Sequence, residues 1–207
     1  MELGFVSAIL PDLTLEEVFS VGRATGYECV EVMCWPPGKA ERRYAGVTHI
    51  DVSKLDQGEA SRILDSAAAH GMKISSLGYY PNLLSPIAGE ASVAADHLRN
   101  VIRAARKLSI SIVNTFIGRD WTRSLEENWP RFLCVWRDLV SFATDQGSRL
   151  ALRTARCYLP PTNGLAVRIL QLVRRYGDVC SRIFRVNISD SMPGYGRRSA
   201  TETNPLL

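Results

Sequence analysis

A long hydrophobic run, a paired-cysteine motif and a histidine-rich segment are all missing from this 207-residue chain. With no stretch of eighteen apolar residues, no membrane-spanning helix is predicted. The N-terminus, MELGFVSAILPD, has no basic segment ahead of its apolar residues, so it does not read as a signal peptide and the expected compartment is cytoplasmic. Cys29, Cys34, Cys134, Cys157 and Cys180 form no CxxC pair and keep no ligand-like spacing with His49, His70 and His97. An odd number without a secretion signal predicts free thiols that serve as small apolar side chains. Lysine is absent after residue 152, where nine Arg face three acids, Asp178, Asp190 and Glu202. The net charge of +4 therefore belongs to the tail, and the body, with a slight acidic excess, has no basic face of the kind nucleic acid requires.

What the chain does have is alternation. Up to about residue 152, short apolar runs and helix-length amphipathic segments take turns. The strands are read at residues 2–7 (ELGFVS), 28–33 (ECVEVM), 73–78 (KISSLG), 111–116 (SIVNTF) and 148–152 (SRLAL). The first intervening helix has Thr14 and Glu17 at capping-box spacing, Gly26 as its stop, and Leu15, Val18, Phe19 and Val21 on one stripe. A polar excursion over 34–56 precedes a second helix with Ile63, Leu64, Ala67 and Ala68 inward, ending at Gly71. The third, over 89–108, turns Val93, Leu98, Val101, Ile102 and Ala105 inward. The fourth opens with a second capping box, Ser124 and Glu127, and closes at Gly147, with Pro130 expected to bend or delay it. A helix between every pair of strands predicts a parallel α/β sheet with right-handed crossovers. No GxGxxG or Walker loop follows the first strand, which favours a barrel over a doubly wound nucleotide fold.

Four segments then stand out: GFVSAILPDLTLEEV, CVEVMCWPPGKAERRYAGVTHIDV, ISSLGYYPN and IVNTFIGRD. Each sits at a strand's C-terminal end and runs into the next loop. In order and without gaps, residues 3–152 resemble the xylose-isomerase-like TIM-barrel family, usually described as sugar phosphate isomerases or epimerases. Residues 1–152 are accordingly read as a partial (β/α)8 barrel of about four and a half βα units, and 153–207 as an aberrant, poorly ordered tail. In such a barrel the C-terminal ends of the strands form the mouth of the site. Ser7, Glu31, Tyr80 and Asn82 fall there. So do the residues chosen as substrate-binding candidates: Trp35, His49, Tyr79, Asn114 and Arg119. Aromatic faces suit sugar C–H surfaces, and amides and guanidinium suit hydroxyls or phosphate. Asn114 leads, because an amide directed into a barrel mouth needs partners that a substrate supplies. His70, beside a stop glycine, and His97, in mid-helix, are expected in capping or surface roles.

The resemblance implies proton transfer alpha to a carbonyl, assisted by a divalent metal (Mn, Mg, Zn or Co) in full-length relatives. It also implies four ligands, Glu, Asp, His and Glu, near the ends of the last four strands. The first should directly follow strand five, yet Leu152 is followed by Arg153, Thr154, Ala155, Arg156 and Cys157. No metal or catalytic residue is therefore expected in this chain. A reading-frame change accounts for the departure. Codons rebuilt one frame away allow ENCP over 152–156, WPGGKN over 163–169 and WRRMFE over 176–182, strings that resemble the family's continuation. Sequencing the DNA across codon 152 tests this: codons that cannot spell those strings end the idea.

The expectation is a truncated, inactive relative of a sugar (phosphate) isomerase/epimerase, with no nucleic-acid or membrane partner. An open half-barrel would leave inward side chains without an opposing layer, and bare strand edges able to pair with another copy. Two alternatives share the fold: a non-enzymatic half-barrel binding module, and a relative of the abasic-site endonucleases. The latter would need a basic, DNA-facing mouth and several metal ligands.

Overall fold

The computed structural model describes residues 2–38, 46–154 and 183–188. Its strands are β1 (Gly4–Val6), β2 (Cys29–Met33), β3 (Lys73–Gly78), β4 (Ile112–Phe116), β5 (Arg149–Thr154) and β6 (Ile183–Ile188). They lie in one sheet in chain order, each parallel to its neighbour. The connections between the first five carry α1 (Leu15–Ala24), α2 (Gln57–Ala69), α3 (Glu90–Lys107) and α4 (Leu125–Asp145). Consecutive parallel strands with helical crossovers are the opening half of a (β/α)8 barrel. β6 lies past residue 152, where alternation fades in the sequence, and pairs with β5 from Leu150–Ile183 to Thr154–Ile188. Residues 155–182 and 189–207, which hold most of the frame-shifted strings and of the tail, lie outside the described residues.

Local chemistry fixes the helix starts. Thr14 and Ser124 each accept the backbone N–H three residues on, and Glu17 and Glu127 reach back to close both capping boxes. Asp56 caps α2 alone, through the N–H of Glu59. α4 begins at once after Ser124 and runs through Pro130, so the proline neither delays nor ends it. The bond Pro130 cannot make would go to Glu126, in the first turn, where little helix precedes the gap.

The strands divide their side chains by parity. Val30, Val32, Leu77, Val113, Leu150 and Leu152 are fully buried, in one cluster with Phe19, Ile63, Leu98, Ile102, Trp136 and Leu139 of the helices. The opposite parity faces the barrel interior, and its middle layer is polar: Glu31, Ser76 and Asn114. These buried polar groups satisfy one another by hydrogen bonding. Three large apolar residues placed inward from the sequence are exposed instead: Val21, Leu64 and, at 66%, Val93. Each lies at the border of its apolar stripe, where the helix surface turns from the sheet toward water. Ala68 is also exposed. No helix among the described residues is long and apolar enough to cross a membrane.

Candidate functional site

Side chains from the middle of β3 and β4 and from the C-terminal ends of β3 and β5 converge on one carboxylate in the middle of β2. Glu31 on β2 has a side chain only 7% exposed. Asn114 on β4 donates Nδ2 to Glu31 Oε2 at 2.7 Å and to Ser76 Oγ on β3 at 2.8 Å. Arg153 on β5 donates Nη2 to the same Oε2 at 3.1 Å. The Tyr80 hydroxyl, just past β3, donates to Glu31 Oε1. Burial, and then the charge of Glu31, push the Tyr80 phenol far above its ordinary range, so it remains a donor.

Gly78 makes room for this carboxylate. A Cβ there would stand 2.6 Å from Glu31 Oε1 and 2.9 Å from Met33 Sδ. The Arg153 guanidinium also lies over the Tyr80 ring, 5.4 Å from its centroid, and Tyr80 packs on Phe116 at 4.8 Å. The result is an ion pair framed by an amide and two aromatic rings. Asn114, the leading candidate from sequence, sits at its centre.

The other candidates are placed apart from it. Trp35 is half-buried, edge-on to Tyr79 at 5.0 Å, and Tyr79 stands edge-on to His97 at 4.7 Å. His97 bonds through Nε2 to the Cys34 carbonyl at 2.8 Å, tying α3 to the end of β2. Burial raises the Tyr79 phenol to about 12, and its ring is part of the main core. It is Tyr80 whose hydroxyl meets Glu31. Arg119 bonds through its backbone, N–H to Asn82 Oδ1 and carbonyl to Asn82 Nδ2, both at 2.8 Å. Its guanidinium turns back to the Arg123 carbonyl at 3.3 Å. Asp120 pairs with Arg123 and Arg131, and the Thr122 hydroxyl leads in holding its carboxyl below the usual range. His70 caps α2, with Nδ1 2.8 Å from the Ser66 carbonyl.

His49 is held in a latch over the end of β1. Ser7 Oγ accepts the Met33 N–H at 2.9 Å and lies 3.0 Å from His49 Nδ1, while His49 Nε2 lies 3.2 Å from the Leu10 carbonyl. A carbonyl can only accept, so Nε2 carries the proton, and the Ser7 hydroxyl donates to Nδ1. This bonding suits the neutral imidazole, the form that burial favours by holding the pKa below the ordinary value. Above about pH 6.5 both folded and unfolded chains carry a neutral histidine. Below that the unfolded chain takes up the proton first, so stability falls with pH until the folded imidazole titrates too. Urea midpoints at pH 7.5 and 5.5 should fall more in the parent than in His49→Gln. Equal falls would remove His49 as the cause.

Glu31 and Tyr80 were legible as residues of the mouth, but their partnership with Arg153 was not, since β5 lies far along the chain from β2. Ser76 carried no signal beyond its strand position. Among the described residues, no group of three or more His, Cys, Asp or Glu could hold a metal. Where the resemblance implies a metal-binding carboxylate, at the end of β5, Arg153 presents a cation to Glu31. The described donor set does not fit a divalent metal. Cys29 and Cys34 are free and buried, and Cys134 is free and exposed.

The fold is shared with solved structures. A D-psicose 3-epimerase studied with D-fructose aligns at TM-score 0.62 and 15% identity, over 96% of this chain and 77% of that one. The D-psicose 3-epimerase of Clostridium cellulolyticum H10, solved with D-tagatose, gives 0.64 and 15%, over 93% and 67%. A xylose isomerase-like TIM barrel protein from Mycobacterium smegmatis, in complex with magnesium, gives 0.59 and 13%, over 91% and 64%. No curated protein matches the chain. The family model of the xylose isomerase-like TIM barrel, however, matches residues 19–189. With six parallel strands in barrel order and a polar mouth at their C-terminal ends, this chain belongs to the xylose isomerase-like TIM barrel family.

Proposed function

We propose that this chain is a sugar isomerase/epimerase relative that binds carbohydrate at the mouth of its strands without converting it. Binding has support in the chemistry of the layer. Arg153 offers further N–H donors, Glu31 and the Asn114 carbonyl oxygen offer acceptors, and the Tyr80 and Phe116 rings offer faces for sugar C–H groups. The sugar epimerases among its structural neighbours, one studied with D-fructose and one with D-tagatose, make a ketohexose the natural ligand to try.

Turnover is a different demand. Proton transfer alpha to a carbonyl needs a base with a free lone pair and a positive group to stabilise the enediolate oxygen. Glu31 is the buried carboxylate of the layer, and donors from Asn114, Tyr80 and Arg153 already engage it. The observation that carries the proposal is the Arg153–Glu31 pair at the end of β5.

The test is chromatography of D-fructose or D-tagatose after incubation with the full chain and Mn2+, Mg2+, Zn2+ or Co2+. No conversion above buffer is expected, while saturation-transfer NMR should report contact with the sugar. Conversion that EDTA abolishes would overturn the proposal.

A further inference from the structure

We propose that Arg153 is the built-in counter-cation of this mouth: it neutralises Glu31, keeps a divalent metal out, and matches the site to an uncharged polyol. The ligand clause rests on the carbohydrate reading above. The cation clause does not.

Glu31 is the acid buried in the polar layer of the sheet, and Arg153 meets it at 3.1 Å with a side chain 35% exposed. The guanidinium therefore reaches both the buried carboxylate and the open side of the mouth. The neighbouring charges are spoken for. Asp120 is paired with Arg123 and Arg131, and the Arg119 guanidinium turns back on its own loop. His49 is neutral and bonded at both ring nitrogens. The described layer is thus one anion and one cation in contact.

Each class of ligand meets that pair differently. A divalent ion on Glu31 Oε2 would sit within a few ångströms of a guanidinium that is always protonated, and would have to displace it. A phosphate or carboxylate on Arg153 would face Glu31 across the same short distance, with like charges in a sheltered setting. An uncharged polyol adds no net charge. Its hydroxyls can accept from the guanidinium and donate to the carboxylate while the ion pair stays intact. Tyr80 supports the arrangement from two sides, donating to Glu31 Oε1 and lying beneath the guanidinium. Arg153 is in this respect a specificity-determining residue, selecting by what it repels.

The first arm of the test is Mn2+ titration of the full chain, read as loss of the free-ion EPR signal. The parent should bind no stoichiometric manganese. Arg153→Glu, which puts two carboxylates face to face, should bind it at least about tenfold more tightly. Arg153→Gln, which only removes the cation, should gain affinity in the same direction and serves if Arg153→Glu does not fold by circular dichroism. One manganese per parent chain overturns the cation clause, and so does a folded variant with no gain over the parent.

The second arm is calorimetry with D-fructose and D-fructose 6-phosphate in EDTA. The neutral sugar should bind equally well with and without chelator, and the phosphate ester no more tightly. An ester that binds about tenfold better overturns the ligand clause. Binding of neither sugar defeats the ligand clause and the carbohydrate reading together, while the manganese arm still judges Arg153 by itself.

Discussion

Replacing Trp136 with alanine should cost about 3–5 kcal/mol, the largest loss expected from truncating one side chain in this fold. Trp136 lies in the middle of α4 and is fully buried. Its ring meets Phe132 at 6.1 Å, and Phe132 in turn stacks on Trp129 at 5.0 Å. The indole Nε1 donates to the Ile117 carbonyl at 3.1 Å, just past the end of β4. The one side chain therefore fills the gap between α4 and the sheet and anchors the loop that leaves β4. Alanine opens a cavity and strands that carbonyl together. Urea denaturation should show the loss as a lower midpoint, with Trp136→Phe in between because it keeps one ring while losing the donor and part of the volume. A drop below about 1 kcal/mol for alanine would mean the helix packs elsewhere.

Gly118→Ala should be nearly as damaging for its size, at about 2–4 kcal/mol. Gly118 has φ of +79°, a conformation that a side chain disfavours. An added Cβ would lie 2.7 Å from Asn82 Oδ1, 2.9 Å from Leu83 N and 3.0 Å from Leu84 N. Two of those three atoms are backbone, so the loop itself must yield. What it would break is the clasp in which Asn82 bonds both backbone groups of Arg119 and also accepts the Leu84 N–H at 3.1 Å. That clasp holds the loop after β3 against the loop after β4. Hydrogen exchange at the Arg119 and Leu84 amides should quicken along with the loss of stability. Unchanged exchange and an unchanged urea midpoint would show that the two loops are not in such close contact.

How far the sequence could be read depended on the distance over which each feature is decided. The capping boxes at Thr14–Glu17 and Ser124–Glu127 are settled within three residues, and the structure has both. The alternation of strands and helices is settled within a dozen, and the parallel order follows from it. Asn114 was legible as an amide in the middle of a strand, and the structure bonds it to Glu31 and Ser76 on the two strands before it. Val21, Leu64 and Val93 were misplaced because a stripe read from periodicity has no sharp border, and only the neighbouring element decides which flank is covered. Pro130 was expected to bend or delay the helix, and α4 starts without delay, since the cost of a proline depends on how little helix precedes it. His97 was expected in a capping or surface role and is instead half-buried, its bond to Cys34 joining two elements that no local pattern relates. The pair Glu31 and Arg153 depends on β2 and β5 coming together through β3 and β4, and no spacing in the chain encodes that.

The chain-order sheet also bears on how the molecule comes to be made. Because each described strand adds to the one before it, none after β1 waits for a segment still to be synthesised before finding its first partner. A growing polypeptide with this topology can build outward from its beginning, each new crossover extending a template already in place, with short loop closures at every step.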